Sequence, residues 1–188
     1  MKRTLLPLII TALLLTGCAG VAADPWPEGV DPISSRLGAT AVAGFTLNES
    51  NDILSFSGLY YATWTLGEGK TISNADGDEA QIFDAQIYVV VKECANAEKA
   101  EQNVQSWMAR EQEVYTATAP EENTFSGQSF RTLTLLSGSK TNPYAFGAAG
   151  FAVCGSDAIS VELLCAQDFT GDADAILAAF LNGLKYRP

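Results

Sequence analysis

Histidine is missing from all 188 residues, and that absence removes several chemistries at once. Ser-His-Asp and Cys-His catalysis, His-ligated zinc and a histidine switch near neutral pH all need an imidazole. Catalysis without one has to rest on carboxylate pairs, on a Ser-Lys dyad or on a metal held by oxygen ligands. Positive charge is scarce as well, with 11 Lys and Arg against 22 Asp and Glu. This balance argues against nucleic acid as a partner and against adhesion to anionic lipid surfaces through charge. Simple solubility accounts for it more economically. A bilayer-spanning helix needs about 20 consecutive apolar residues, and the apolar run over residues 5–15 falls well short of that.

That short run carries information of another kind. Met1, Lys2 and Arg3 precede it, and Thr16 and Gly17 close it, which is the layout of a bacterial export signal. The ending Leu15-Thr16-Gly17-Cys18 resembles the lipobox of bacterial lipoproteins. The resemblance implies acylation of the Cys18 thiol and cleavage just before it, so that residues 1–17 form a signal peptide. One acyl chain holds a protein only reversibly, at roughly 0.8 kcal/mol per buried methylene, whereas two or three chains anchor it stably. Removal of the leader takes Lys2 and Arg3 with it, leaving nine basic residues against 22 acidic ones. Residues 18–37 contain Gly20, Pro25, Pro27, Gly29 and Pro32 with little periodicity and read as a flexible tether. Trp26 within it either dips into a membrane interface or packs on the domain. Ala19 stands where an aspartate often signals retention in an inner membrane. The expected location is a cell membrane or outer membrane, lipid-anchored and extracytoplasmic, and which of them depends on the type of envelope.

Residues 38–188 are long enough for one domain with a sizeable core. The stretch LSFSGLYYATWTL is rich in aromatic and β-branched residues and reads as a strand. Residues 85–91 alternate and then turn fully apolar, as in a central strand. From residue 95 to 113 the period becomes 3.6, with Ala97, Ala100, Val104, Trp107 and Met108 on one helical face. A loop over residues 120–127 leads to a strand at 129–136. Residues 145–154 and 158–165 flank Gly155-Ser156-Asp157 as a hairpin, and Asp172 caps a closing helix. The expected class is α+β, a mainly antiparallel sheet flanked by two helices.

The block GQSFRTLTLLSG…FAVCGSDAISVELLCAQDFTGDADAILAAFLNGLKY resembles the tail of PsbP-like α/β/α sandwich domains, in which a glycine opens a strand, a meander follows and a helix closes the domain. The likeness is one of element order over residues 40–186. It implies a binding or adaptor role, and no site residue carries over from it.

Motifs with chemical meaning dissolve on inspection. GEGKT at residues 67–71 lacks the first P-loop glycine, because Trp64 stands in its place, and no helix follows. Ser137-Gly138-Ser139-Lys140 satisfies S-x-x-K but follows a strand and reads as a turn. Asn74, Asp76, Asp78 and Glu79 offer oxygens, yet an EF-hand starting at Asn74 would find Glu79 at its glycine position and Ala85 at its glutamate position. No cofactor is expected. Tyr61, Tyr144 and Phe146 are candidates for a ligand surface. Arg131 and Glu162 interrupt apolar strands, and either face solvent or pair with each other under a helix.

With Cys18 assigned to lipid, Cys94, Cys154 and Cys165 remain. An extracytoplasmic site permits a disulfide. If the strands at 129, 145 and 158 run up, down and up beside an ascending strand at 85, Cys94 and Cys165 share one end of the sheet and can bridge. Three reduced thiols are the alternative. The functional expectation is a lipid-anchored, extracytoplasmic binding or accessory protein without catalytic activity, whose partners are the membrane and a protein or envelope component. A carbohydrate-directed envelope protein, either a glycan binder or a carboxylate-dependent hydrolase, is the second expectation.

Overall fold

A computed structural model describes residues 25–51, 57–73, 79–138 and 143–187. The expected signal peptide over residues 1–17, Cys18, the oxygen-rich loop at Asn74, Asp76 and Asp78, and the Ser139-Lys140 half of the S-x-x-K motif lie outside the described residues.

Its main sheet is antiparallel throughout. The strands are β3 (Thr46–Asn51), β4 (Leu59–Leu66), β7 (Ala85–Glu93), β8 (Tyr115–Ala117), β9 (Glu121–Phe125), β10 (Gln128–Gly138), β11 (Phe146–Cys154) and β12 (Asp157–Cys165). They lie in the order β3-β4-β7-β12-β11-β10-β8, with β9 also paired to β10. A short sheet joins β1 (Asp31–Pro32), β2 (Leu37–Ala39) and β13 (Leu184–Tyr186), and β5 (Lys70–Ser73) pairs with β6 (Glu79–Ile82). Helices α1 (Ala97–Val114) and α2 (Ala173–Gly183) pack on opposite faces of β11 and β12.

Period-two alternation explains why both faces are covered. Along β11, Ala148, Ala152 and Cys154 join the core under α2, while Ala149 and Phe151 join the core under α1. Helix α2 buries Leu177, Phe180 and Leu181, each contributing about 2 kcal/mol. The Phe180 ring meets fully buried Trp64 edge-on at 5.0 Å. Asp172 caps this helix as expected, accepting from the Ala175 N–H at 3.0 Å. Asn96 does the same for α1, accepting from Lys99 at 2.9 Å. Gly147 faces Leu164 so closely that a Cβ there would collide with the Leu163 carbonyl.

Two sequence expectations are corrected. Residues 120–127 are not a loop: β9 forms a hairpin with β10 through Ser126-Gly127, both at positive φ. That added reversal makes β10 descend and β12 run antiparallel to β7. Cys165 therefore pairs with Ala85, whereas Cys94 sits beside Ser156 at the other end. Nine strand residues separate them, about 30 Å at ~3.3 Å each, far beyond the ~7 Å Cα separation a disulfide tolerates. Cys94, Cys154 and Cys165 are free thiols.

The tether expected over 18–37 is also shorter where the structure describes it. Asp31 accepts from the Trp64 indole at 3.0 Å, and Arg36 pairs with Asp157. Trp26 lies under the Arg187 guanidinium, 3.7 Å from the ring centroid. From Pro25 onward the segment is fastened to the domain.

Candidate functional site

On the α1 side of the sheet, the helix leaves the adjoining strands β7, β4 and β3 less covered. Register sets Tyr88 of β7 directly opposite Glu162 of β12, and Thr63 of β4 opposite Tyr88. The Tyr61 ring stands 6.0 Å from that of Tyr88, and its hydroxyl donates to Glu49 Oε1 at 3.1 Å. Glu111, on the inner stripe of α1 that also carries Ala100 and Val104, is buried. It sits close enough to Glu162 to act on its charge.

The electrostatics follow from this placement. Burial in the joint between helix and sheet pushes the Glu162 carboxyl up to about 7, with the Glu111 charge adding to the rise. The Ser160 hydroxyl, 3.0 Å from Glu162 Oε1, and the Arg110 charge work against it. Burial raises Glu111 too, while Arg110 lowers it. Tyr88 is raised first by burial and then by Glu162. Two carboxyls from different elements thus share one poorly solvated joint, and near neutral pH the pair holds a proton that an exposed pair would release. Chemically, the arrangement can donate a hydrogen bond from a protonated carboxyl and offers two phenol rings beside it.

The expected ligand surface is divided. Tyr61 belongs to this face. Tyr144 is only 7 % exposed, its hydroxyl 2.8 Å from Gln86 Oε1 and accepting from the Phe83 N–H at 3.4 Å, so it is packed among neighbours and is no open surface. Phe146 packs on the opposite face against the α2-side core, 6.4 Å from Phe169. Arg131 and Glu162 both lie under α1, but not paired with each other. Arg131 makes a two-pronged bridge to Glu101 at 2.7 Å, which holds Glu101 below its ordinary range. Tyr88, Glu49 and Glu111 were missed from sequence. Glu111 had a signal, because it continues the spacing 100, 104, 107/108.

Two further polar features stand apart from this face. At the Cys94 end, Asp157 is 1 % exposed and accepts from Arg36 and, at 3.3 Å, from the Tyr186 hydroxyl. Burial raises its carboxyl, and Arg36 partly restores it. Burial and the Asp157 charge push the neighbouring Cys154 thiol up to about 11; burial alone pushes Cys165 up to about 12. On the α2 side, a groove of about 330 Å³ runs between α2 and β9–β10, where Thr134 Oγ1 donates to Asp174 and Asn123 and Phe125 form part of the wall. Among the described residues no group of three or more Cys, Asp or Glu could hold a metal, and no helix is long and apolar enough to cross a membrane.

No family model and no curated protein matches the chain. Among solved structures, it is similar to the solution structure of cyanobacterial PsbP (CyanoP) from Synechocystis sp. PCC 6803. The identity is 13% and the TM-score 0.40, over 78% of this chain and 95% of that one. No residue role passes to this chain from that likeness.

Proposed function

We propose that this chain is a lipid-anchored, extracytoplasmic binding or accessory protein without catalytic chemistry of its own. The observation that carries the reading is Leu15-Thr16-Gly17-Cys18 after a basic start and a short apolar run. On the α1-side face the hydroxyls of Tyr61 and Ser160 are each paired with a neighbouring carboxyl. The acidic balance disfavours nucleic acid as a partner.

Metabolic labelling with an alkyne fatty acid tests the anchor. Label on the wild-type protein and none on Cys18→Ala, with release of the variant from membranes, is the expected result. Equal fractionation of the two proteins would refute it. Crosslinking in intact membranes then tests the binding role by recovering a defined partner.

A second reading, a carbohydrate-directed envelope protein, is favoured by the Tyr61–Tyr88 pair standing beside Glu162, Glu111 and Glu49. Aromatic rings beside carboxylates suit sugar faces and hydroxyls. Retention of the wild-type protein, but not of Tyr88→Ala, on cell-wall glycan would support this reading. Hydrolysis of that glycan lost in Glu162→Gln would extend it to catalysis. Equal passage of both proteins through the glycan would remove it.

A further inference from the structure

Pro25 and Trp26 lie a short stretch of chain after Cys18, close to where a lipid anchor would pull. The Pro25 carbonyl accepts from the Arg187 guanidinium at 2.9 Å, the same guanidinium covers the Trp26 ring, and the Arg187 N–H donates to the Arg36 carbonyl at 2.8 Å. The entry of the chain is thus clasped to its last strand. Between Cys18 and Pro25 lie seven residue steps, which reach at most ~25 Å when fully extended. A body of this size has a diameter of roughly 40 Å, so reaching its far pole around the surface takes about 60 Å of chain. A leash that short cannot let the domain turn its opposite side to the membrane.

From this we infer that the outer face of the β1–β2–β13 sheet, with Trp26, Lys185 and Arg187, lies directly on the lipid surface. The inference rests on the anchoring reading above and adds an orientation to it. The chemistry of this face suits the position. Lys185 stands opposite Gly38 in register, and Trp26 lies over Gly38, so close that a Cβ there would come within 3.2 Å of the indole. Indole rings and long cationic side chains favour the level of the lipid headgroups. Pro25 and Pro27 are exposed beside them. Glu28 is the acidic residue of the 25–30 stretch, in a mature chain with 22 acidic residues against nine basic ones. An anionic surface repels such a body as a whole and therefore selects the side on which Lys185 and Arg187 offset Glu28.

The consequence reaches the candidate site. Leu37, Ala39 and Leu184 pack the small sheet onto the α2-side core, whereas Tyr61, Tyr88 and Glu162 occupy the other face of the main sheet. Seating the small sheet on lipid turns the site away from the membrane, towards a partner in the envelope space.

The test uses the full-length lipidated protein in vesicles of phosphatidylethanolamine and phosphatidylglycerol doped with a nitroxide-headgroup lipid. The chain has three tryptophans. Trp64 is fully buried, and Trp107 lies on α1 on the far side. Wild-type emission should be quenched, and Trp26→Phe should lose most of that quenching while melting at a similar temperature. Lys185→Glu should weaken the quenching without releasing the protein from the vesicles. Identical quenching in wild type and Trp26→Phe, with both proteins vesicle-bound, would overturn the orientation and leave the anchor standing. Failure of the wild type to bind vesicles any better than Cys18→Ala would instead bring down the anchoring reading itself.

Discussion

Replacing Glu162 by Gln isolates the cost of holding a carboxylate in the joint between α1 and the sheet. The native carboxyl titrates near 7 against an ordinary value of 4.5, so between those limits the folded state binds more protons than the unfolded state. Stability contributed by this group is therefore fully present below pH 4.5 and is lost as pH rises to about 7. At about 1.4 kcal/mol per unit, the loss is about 3 kcal/mol across that interval. Glu111 shares the joint, so the figure belongs to the pair. Gln keeps the shape and can accept from Ser160 without carrying charge. Urea unfolding of both proteins at pH 5 and pH 8 measures the effect. The variant should gain on wild type by about 2.5 kcal/mol more at pH 8 than at pH 5, because at pH 5 the unfolded carboxyl is already mostly ionised. The comparison between variants cancels the general repulsion of an acidic chain. A constant offset between the two proteins at both pH values would refute the reasoning.

Other perturbations test other joints. Arg36→Met leaves Asp157 buried without its cation and should cost about 3 kcal/mol in a denaturant titration. Gly147→Ala forces a methyl group against the Leu163 carbonyl in the middle of β11–β12, so it should destabilise by about 3 kcal/mol or abolish soluble expression. A thiol reagent at pH 8 should modify half-buried Cys94 in the native domain, and Cys154 and Cys165 only after unfolding, since burial holds their thiols near 11 and 12. Mass spectrometry of the unreduced protein should find no bridge between Cys94 and Cys165.

What could be read in advance follows from the range of the forces involved. Strands at 59–66 and 146–165, helix α1 and the Asp172 cap are written in local period and capping chemistry, and each stands where the pattern put it. Strand β9 is different. Its Glu121–Phe125 sequence EENTF has little β character, and it is a strand because five residues register against β10. Missing that one hairpin inverted every later strand and put Cys94 and Cys165 at the same end. The proline-rich stretch from Pro25 looked like a linker for a similar reason. What fixes it is Trp64 holding Asp31, Asp157 holding Arg36, and Arg187 holding Trp26, all distant in the chain. Glu162 stood out as a charge among apolar neighbours, but its raised carboxyl depends on where α1 lands, which no strand-local pattern encodes.

The central claim is that the domain works from a lipid anchor at Cys18. Intact-mass analysis of the protein extracted from its own membranes tests it most directly. The account predicts a chain beginning at Cys18 and heavier than its sequence by the mass of its acyl groups, lost on substitution of Cys18. A chain retaining residues 1–17, or one beginning beyond Cys18 with no added mass, would contradict it.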